Sequence, residues 1–125
     1  MARSSDQLAR LNARFAAVSR AARDAVKPSL DQGADQLVAA ARHLVPTDDG
    51  TLKDSIRVEA GEHELELLVV AGGGPAFYAV HVEHGTTQAA AQPFFFPAWR
   101  LNKKQIQARI KRAIGKAVRD TWGKA

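Results

Sequence analysis

Cysteine is absent from this chain of 125 residues. Disulfides, cysteine-bound zinc and thiol catalysis are therefore excluded, and a reducing cytoplasm, or an assembly built in one, is the expected setting. Long apolar runs are missing too. None approaches the roughly 18 residues of a membrane-spanning helix, so no membrane partner is expected. The opening MARSSDQLARLNARF has no apolar stretch of the kind a secretory signal carries, so no such signal is expected. Aromatic residues make up only 6% of the chain, yet three of its five phenylalanines are adjacent, between two prolines, in QPFFFPAW.

The signatures of common active sites are also missing. Gly72, Gly73, Gly74 and Pro75 lack the Lys-Ser/Thr of a phosphate loop and the spacing of a dinucleotide fingerprint. Ser29 and Ser55 stand in no His/Asp arrangement that would activate a hydroxyl. The run HVEH places His81, Glu83 and His84 close together, but on a strand His84 would point away from the other two. Zinc needs three or four convergent ligands, and His43 or His63 would have to complete the set. The expectation is no metal, no cofactor and no catalytic residue: a protein that is not an enzyme.

Charge is present but unevenly placed. From Arg100 onward there are nine Lys/Arg against one acid, Asp120, a surplus of eight positive charges. The preceding residues hold nine Lys/Arg against twelve acids. A basic C-terminal segment of this kind suits an acidic protein partner or nucleic acid contacted without sequence reading. Lys103, Lys104, Arg109, Lys111, Arg112 and Lys116 are the candidate residues for such a face.

Apolar spacing supplies the elements. Leu8, Leu11, Phe15, Val18, Ala22 and Val26 form one helical stripe, with Ser4 or Ser5 as N-cap. Pro28 breaks or kinks it, and Leu30, Ala34, Leu37, Val38, Ala41 and Leu44 continue it up to a turn at residues 46–50. Thr51 and Asp54 fit a capping box for one short helical turn. Alternation through Ile56, Val58 and Ala60, then Leu65, Leu67, Val69 and Ala71, reads as a strand pair turning at residues 61–63. Tyr78, Val80 and Val82 alternate as a third strand. After Pro97 the helical period returns with Trp99, Ile106, Ile110, Ala113 and Ala117.

The expected fold class is α+β, one domain over residues 1–125. N-terminal helical segments occupy 1–45, and a three- to four-stranded antiparallel sheet with an extended aromatic segment occupies 46–96. A basic C-terminal helix takes 97–125. In an extended segment Phe94 and Phe96 face one way and Phe95 the other, so the rings are expected to divide between the subunit's own core and a neighbouring subunit.

Three short patterns in this order resemble the head–tail joining proteins of long-tailed lambdoid-type bacteriophages, the neck or tail-completion family. The first comprises Pro46, Gly50, Leu52 and Ser55. The second comprises Tyr78, Ala79, Val82, Glu83, Gly85 and Thr86. The third comprises Gln92, Pro93, Phe94, Pro97 and Ala98. The resemblance implies a non-enzymatic virion protein, assembled in the bacterial cytoplasm, that forms a ring between the head connector and the tail. A second reading is the tail-terminator ring at the top of the tail tube; a third is a nucleic-acid binder without sequence preference. The implied partners are further copies of itself (a hexamer in preference to a dodecamer), the connector or stopper, and tail-tube or tail-terminator proteins, with genomic DNA passing through. The interface residues so implied are Tyr78, Glu83, His84, Gly85, Thr86, Pro93, Phe94, Phe95, Phe96, Pro97 and Trp99.

Overall fold

The computed structural model describes residues 2–46 and 50–124. Two long helices dominate it: α1, Ala2–Leu44, and α4, Phe95–Lys124. Between them lie a short helix α2, Gly50–Ser55, strands β1, Arg57–Ala60, and β2, Leu67–Val70, a single 3₁₀ turn at Gly74–Ala76, and helix α3, Ala79–His84. Residues 47–49 of the expected turn lie outside the described residues.

The apolar stripe of α1 is buried only where it meets other elements. Ala34, Leu37, Val38 and Ala41 are in the core, whereas Leu8, Leu11 and Phe15 are 58%, 42% and 56% exposed. The helix starts at Ala2, so Ser4 and Ser5 lie within it rather than capping it. Pro28 neither ends nor divides it. Its ring sits on the exposed side, where water can satisfy the carbonyl that has lost its N–H partner. That interior proline still costs the helix up to about 3 kcal/mol relative to alanine. Pro28→Ala should therefore raise the melting temperature, and a thermal melt that falls or does not move would show that the backbone at this point needs proline.

Helices α1 and α4 pack antiparallel. Gly33 meets Ile106, Gln36 meets Asn102, Gln105 and Arg109, and Phe15 meets Trp122, so position falls along α1 as it rises along α4. At the closest approach a methyl group on Gly33 would lie 2.7 Å from Ile106 Cγ2. Only a residue without a side chain lets the helices come this near. Gln36 then fastens the pair, donating to Asn102 Oδ1 (2.8 Å) and Gln105 Oε1 (2.9 Å) and accepting from Arg109 Nη2 (2.8 Å).

The sheet is smaller than expected. β1 and β2 pair antiparallel, Arg57 opposite Val70 and Ala60 opposite Leu67, and form a two-stranded sheet with no third strand among the described residues. Both strands lie against α1, and Arg42 Nη2 donates to the Ile56 carbonyl at 2.7 Å where β1 begins. The run expected as a third strand is helix α3. Its burial follows a step of four, not two: Ala79 and Glu83 are buried while Val80, His81 and His84 are exposed. Glycines permit the change of direction on either side. Gly72, Gly73 and Gly74 have φ of 98°, 93° and 51°, and Gly85 has φ of 80°. At Gly85 a side chain would also meet the backbone nitrogen of Ala91 at 2.8 Å.

The core lies at one end of the helix pair. Ile56 and Phe94 are its largest fully enclosed side chains, joined by Leu37, Val38, Ala41, Val45, Leu52, Ala76, Ala79, Ala98 and Ile106.

Candidate interaction site

The aromatic run is not extended. Phe94 precedes the first residue of α4, Phe95 and Phe96 form its first turn, and Pro97 follows as the third helical residue. Helical rotation, not strand alternation, therefore distributes the rings. Phe94 is 1% exposed, Phe95 is half-buried and Phe96 is 49% exposed. Phe94 and Phe96 do not share a face. Helix α4 begins two residues before the expected start, and it begins there because of a residue on another element.

That residue is Glu83. Its side chain points inward from α3, with the residue 8% exposed. Oε1 accepts the N–H groups of Phe94 (3.1 Å) and Phe95 (2.8 Å), and Oε2 accepts that of Phe96 (3.3 Å). A helix leaves its first N–H groups without internal partners. Here three are taken by one carboxylate, and the next residue, Pro97, has no N–H to satisfy. The negative charge also sits at the positive end of the helix dipole. The sequence placed Glu83 at a subunit interface; the structure spends its carboxylate inside the chain. The segment between is tied down as well. Gln92 N–H donates to the Val82 carbonyl at 2.8 Å, and Thr86 Oγ1 accepts from Gln88 and Ala89 N–H at 3.2 and 3.0 Å. Thr86 therefore shapes its own loop.

Around this latch lies an open groove of about 330 Å³. Val69, Val70 and Ala71 form one wall, Ala79, Val80, Glu83 and His84 another, and Phe94, Phe95 and Phe96 the third. Val80 (65% exposed) and Phe96 form its apolar rim, and the His84 and Phe96 rings lie 6.0 Å apart. Of the expected interface residues, Glu83, His84, Phe94, Phe95 and Phe96 thus converge. Tyr78 and Thr86 line a separate depression of about 190 Å³ with His81 and Val82. Pro93 is exposed, Pro97 half-buried, and Trp99 packs against the core. His81 and His84 are exposed while Glu83 is turned inward, and among the described residues no three metal-ligating side chains come together. Val69 was legible as an apolar strand residue; its place opposite α3 was not, because α3 itself was read as a strand.

The basic residues of α4 are not all available. Lys103, Lys104, Lys111, Arg112 and Lys116 are exposed, with Lys116 paired to Asp120 at 3.2 Å. Arg109 is half-buried and committed to Gln36. Trp122 is occupied too. The Arg14 guanidinium lies 4.0 Å over its ring, Phe15 is 5.6 Å away, and Arg14 Nη2 donates to the Trp122 carbonyl at 2.7 Å. No described helix is long and apolar enough to cross a membrane.

The model of one protein family, described as "Bacteriophage HK97-gp10, putative tail-component", matches residues 9–85. The chain belongs to the HK97-gp10-like family. No curated protein and no solved structure matched it. The family span covers most of α1, both strands and α3 up to Gly85, so it includes Glu83, the acceptor of the latch. The QPFFFPAW segment that Glu83 holds lies beyond the matched residues.

Proposed function

We propose that this member of the HK97-gp10-like family is a structural virion protein of the phage neck, not an enzyme, and that it forms a ring joining the head connector to the tail. Family membership is the observation that carries the reading. The groove supports it: an apolar rim held in place by buried polar contacts is what a subunit contact needs, and Val80 and Phe96 are already positioned before any partner arrives. β1 and β2 each have one unpaired edge within their two-stranded sheet, a further surface on which another chain can add. A hexamer is favoured, with connector or stopper proteins on one side and tail-tube or tail-terminator proteins on the other.

Deletion of the gene from its phage should leave filled heads and finished tails unjoined in electron micrographs. Joined, infectious particles in the deletion strain would overturn the proposal. The exposed lysines of α4 suit a surface beside passing DNA. Any DNA affinity should fall steeply as salt rises and show little sequence preference, since only phosphate charge would be read. A sequence-specific complex in a binding titration at physiological salt would favour a regulator instead.

A further inference from the structure

Among the described residues, two of the exposed apolar surfaces lie at opposite ends of the molecule. One is the start of α1. Trp122 meets Arg14 and Phe15, and α4 ends at Lys124, so the residues of α1 before about position 12 run past the end of their partner helix. Leu8 and Leu11 stand on this overhang, one turn apart and continuous with the exposed side of Phe15. The other surface is the groove with Val80 and Phe96 on its rim.

Charge differs along one edge of each surface. The overhang carries Arg3 and Arg10 against Asp6, and Arg14, Arg20, Arg23 and Lys27 against Asp24 follow on α1. Residues 50–92 carry six acids against Lys53 and Arg57, but Glu83 is committed to the latch, and Arg100, Lys103 and Lys104 follow the aromatic wall on α4. Glu62, Glu64 and Glu66 are exposed on the turn that leads into the β2 wall of the groove.

One chain cannot bring its own two surfaces together. Ala41 packs in the same core as Phe94, and 30 helical residues separate it from Leu11, about 45 Å of continuous α1. We infer that copies of this protein associate head to tail, the basic overhang of one chain laying Leu8, Leu11 and Phe15 into the groove beneath Val80 and Phe96 of the next. An apolar helix stripe seated in an apolar groove, with opposite charge along one edge (here Glu62, Glu64 and Glu66 on the β2 side), is a recurrent mode of recognition. Because the two surfaces differ, the contact is heterologous and repeats until a rotation closes it. The inference rests on the ring reading above and names its subunit contact.

The absence of cysteine makes a direct test possible. Leu11→Cys and Val80→Cys are both exposed substitutions, prepared separately and confirmed folded by circular dichroism. Mixed and treated with a short bismaleimide, they should give a covalent dimer that neither variant gives alone. A dimer from Leu11→Cys alone would mean that overhangs pair with each other, and would overturn the proposal. Light scattering on the wild-type protein separates the remaining failures. A defined oligomer without the mixed cross-link sinks this contact and leaves the ring standing. A monomer at every concentration, again without the cross-link, sinks this contact and counts against self-assembly without other neck proteins.

Discussion

Phe94→Ala is expected to lower the melting temperature by roughly 10–20 °C, the equivalent of about 3–5 kcal/mol for deleting an enclosed phenylalanine. Phe94 is 1% exposed and lies in the core with Leu37, Ala41, Ile56 and Ala98. Its neighbours belong to α1, α4 and the segment that leads into β1, so they cannot collapse into the space without moving a helix. The control is two residues away. Phe96 is 49% exposed, and its loss should change stability by no more than about 0.5 kcal/mol while weakening subunit association. Thermal melts of the two variants decide the matter. If both fall equally, all the rings serve only the core and the groove has no outward role.

Glu83→Ala is expected to cost about 2–4 kcal/mol, although it deletes no large apolar group. The substitution leaves the N–H groups of Phe94, Phe95 and Phe96 without their acceptor at a largely enclosed position. Glu83→Gln retains one acceptor oxygen but loses the charge at the helix terminus and turns an amide NH₂ toward a donor; about 1–2 kcal/mol is expected. Urea denaturation ranks the three proteins, and hydrogen exchange at Phe94–Phe96 locates the effect. An alanine variant as stable as the wild type, with unchanged exchange there, would show that the carboxylate does not hold the start of α4.

The long helices were legible because their apolar stripes run for many turns: Leu30, Ala34, Leu37, Val38 and Ala41 admit no other period. β1 and β2 were legible for a similar reason, since Val58 and then Leu67 and Val69 alternate with exposed residues. AVHVEH was ambiguous. Six residues with valines at alternate positions fit a strand, and Ala79 with Glu83 fits a helix equally well. What decides it is the contact of Glu83 with N–H groups 11 to 13 positions further along, which no local pattern contains. The same limit hid the extended-to-helical change at Phe95 and the internal use of Arg109 and Trp122. A charged or aromatic side chain reads as available until its partner on a distant helix is known.

The antiparallel helix pair also sets an order of events during synthesis. Gln36 and Arg109 are 73 positions apart, so α1 emerges from the ribosome roughly 4–15 s before the α4 residues it packs against, at the usual 5–20 residues per second. A helix forms in about a microsecond. For that interval the stripe of Leu37, Val38 and Ala41 has no α4 to cover it, and the nascent chain offers the cell an amphipathic helix rather than a finished subunit. Chains truncated before α4 lack Ala98 and Ile106 and cannot close the core, so premature release yields chains for quality control and not folded protein.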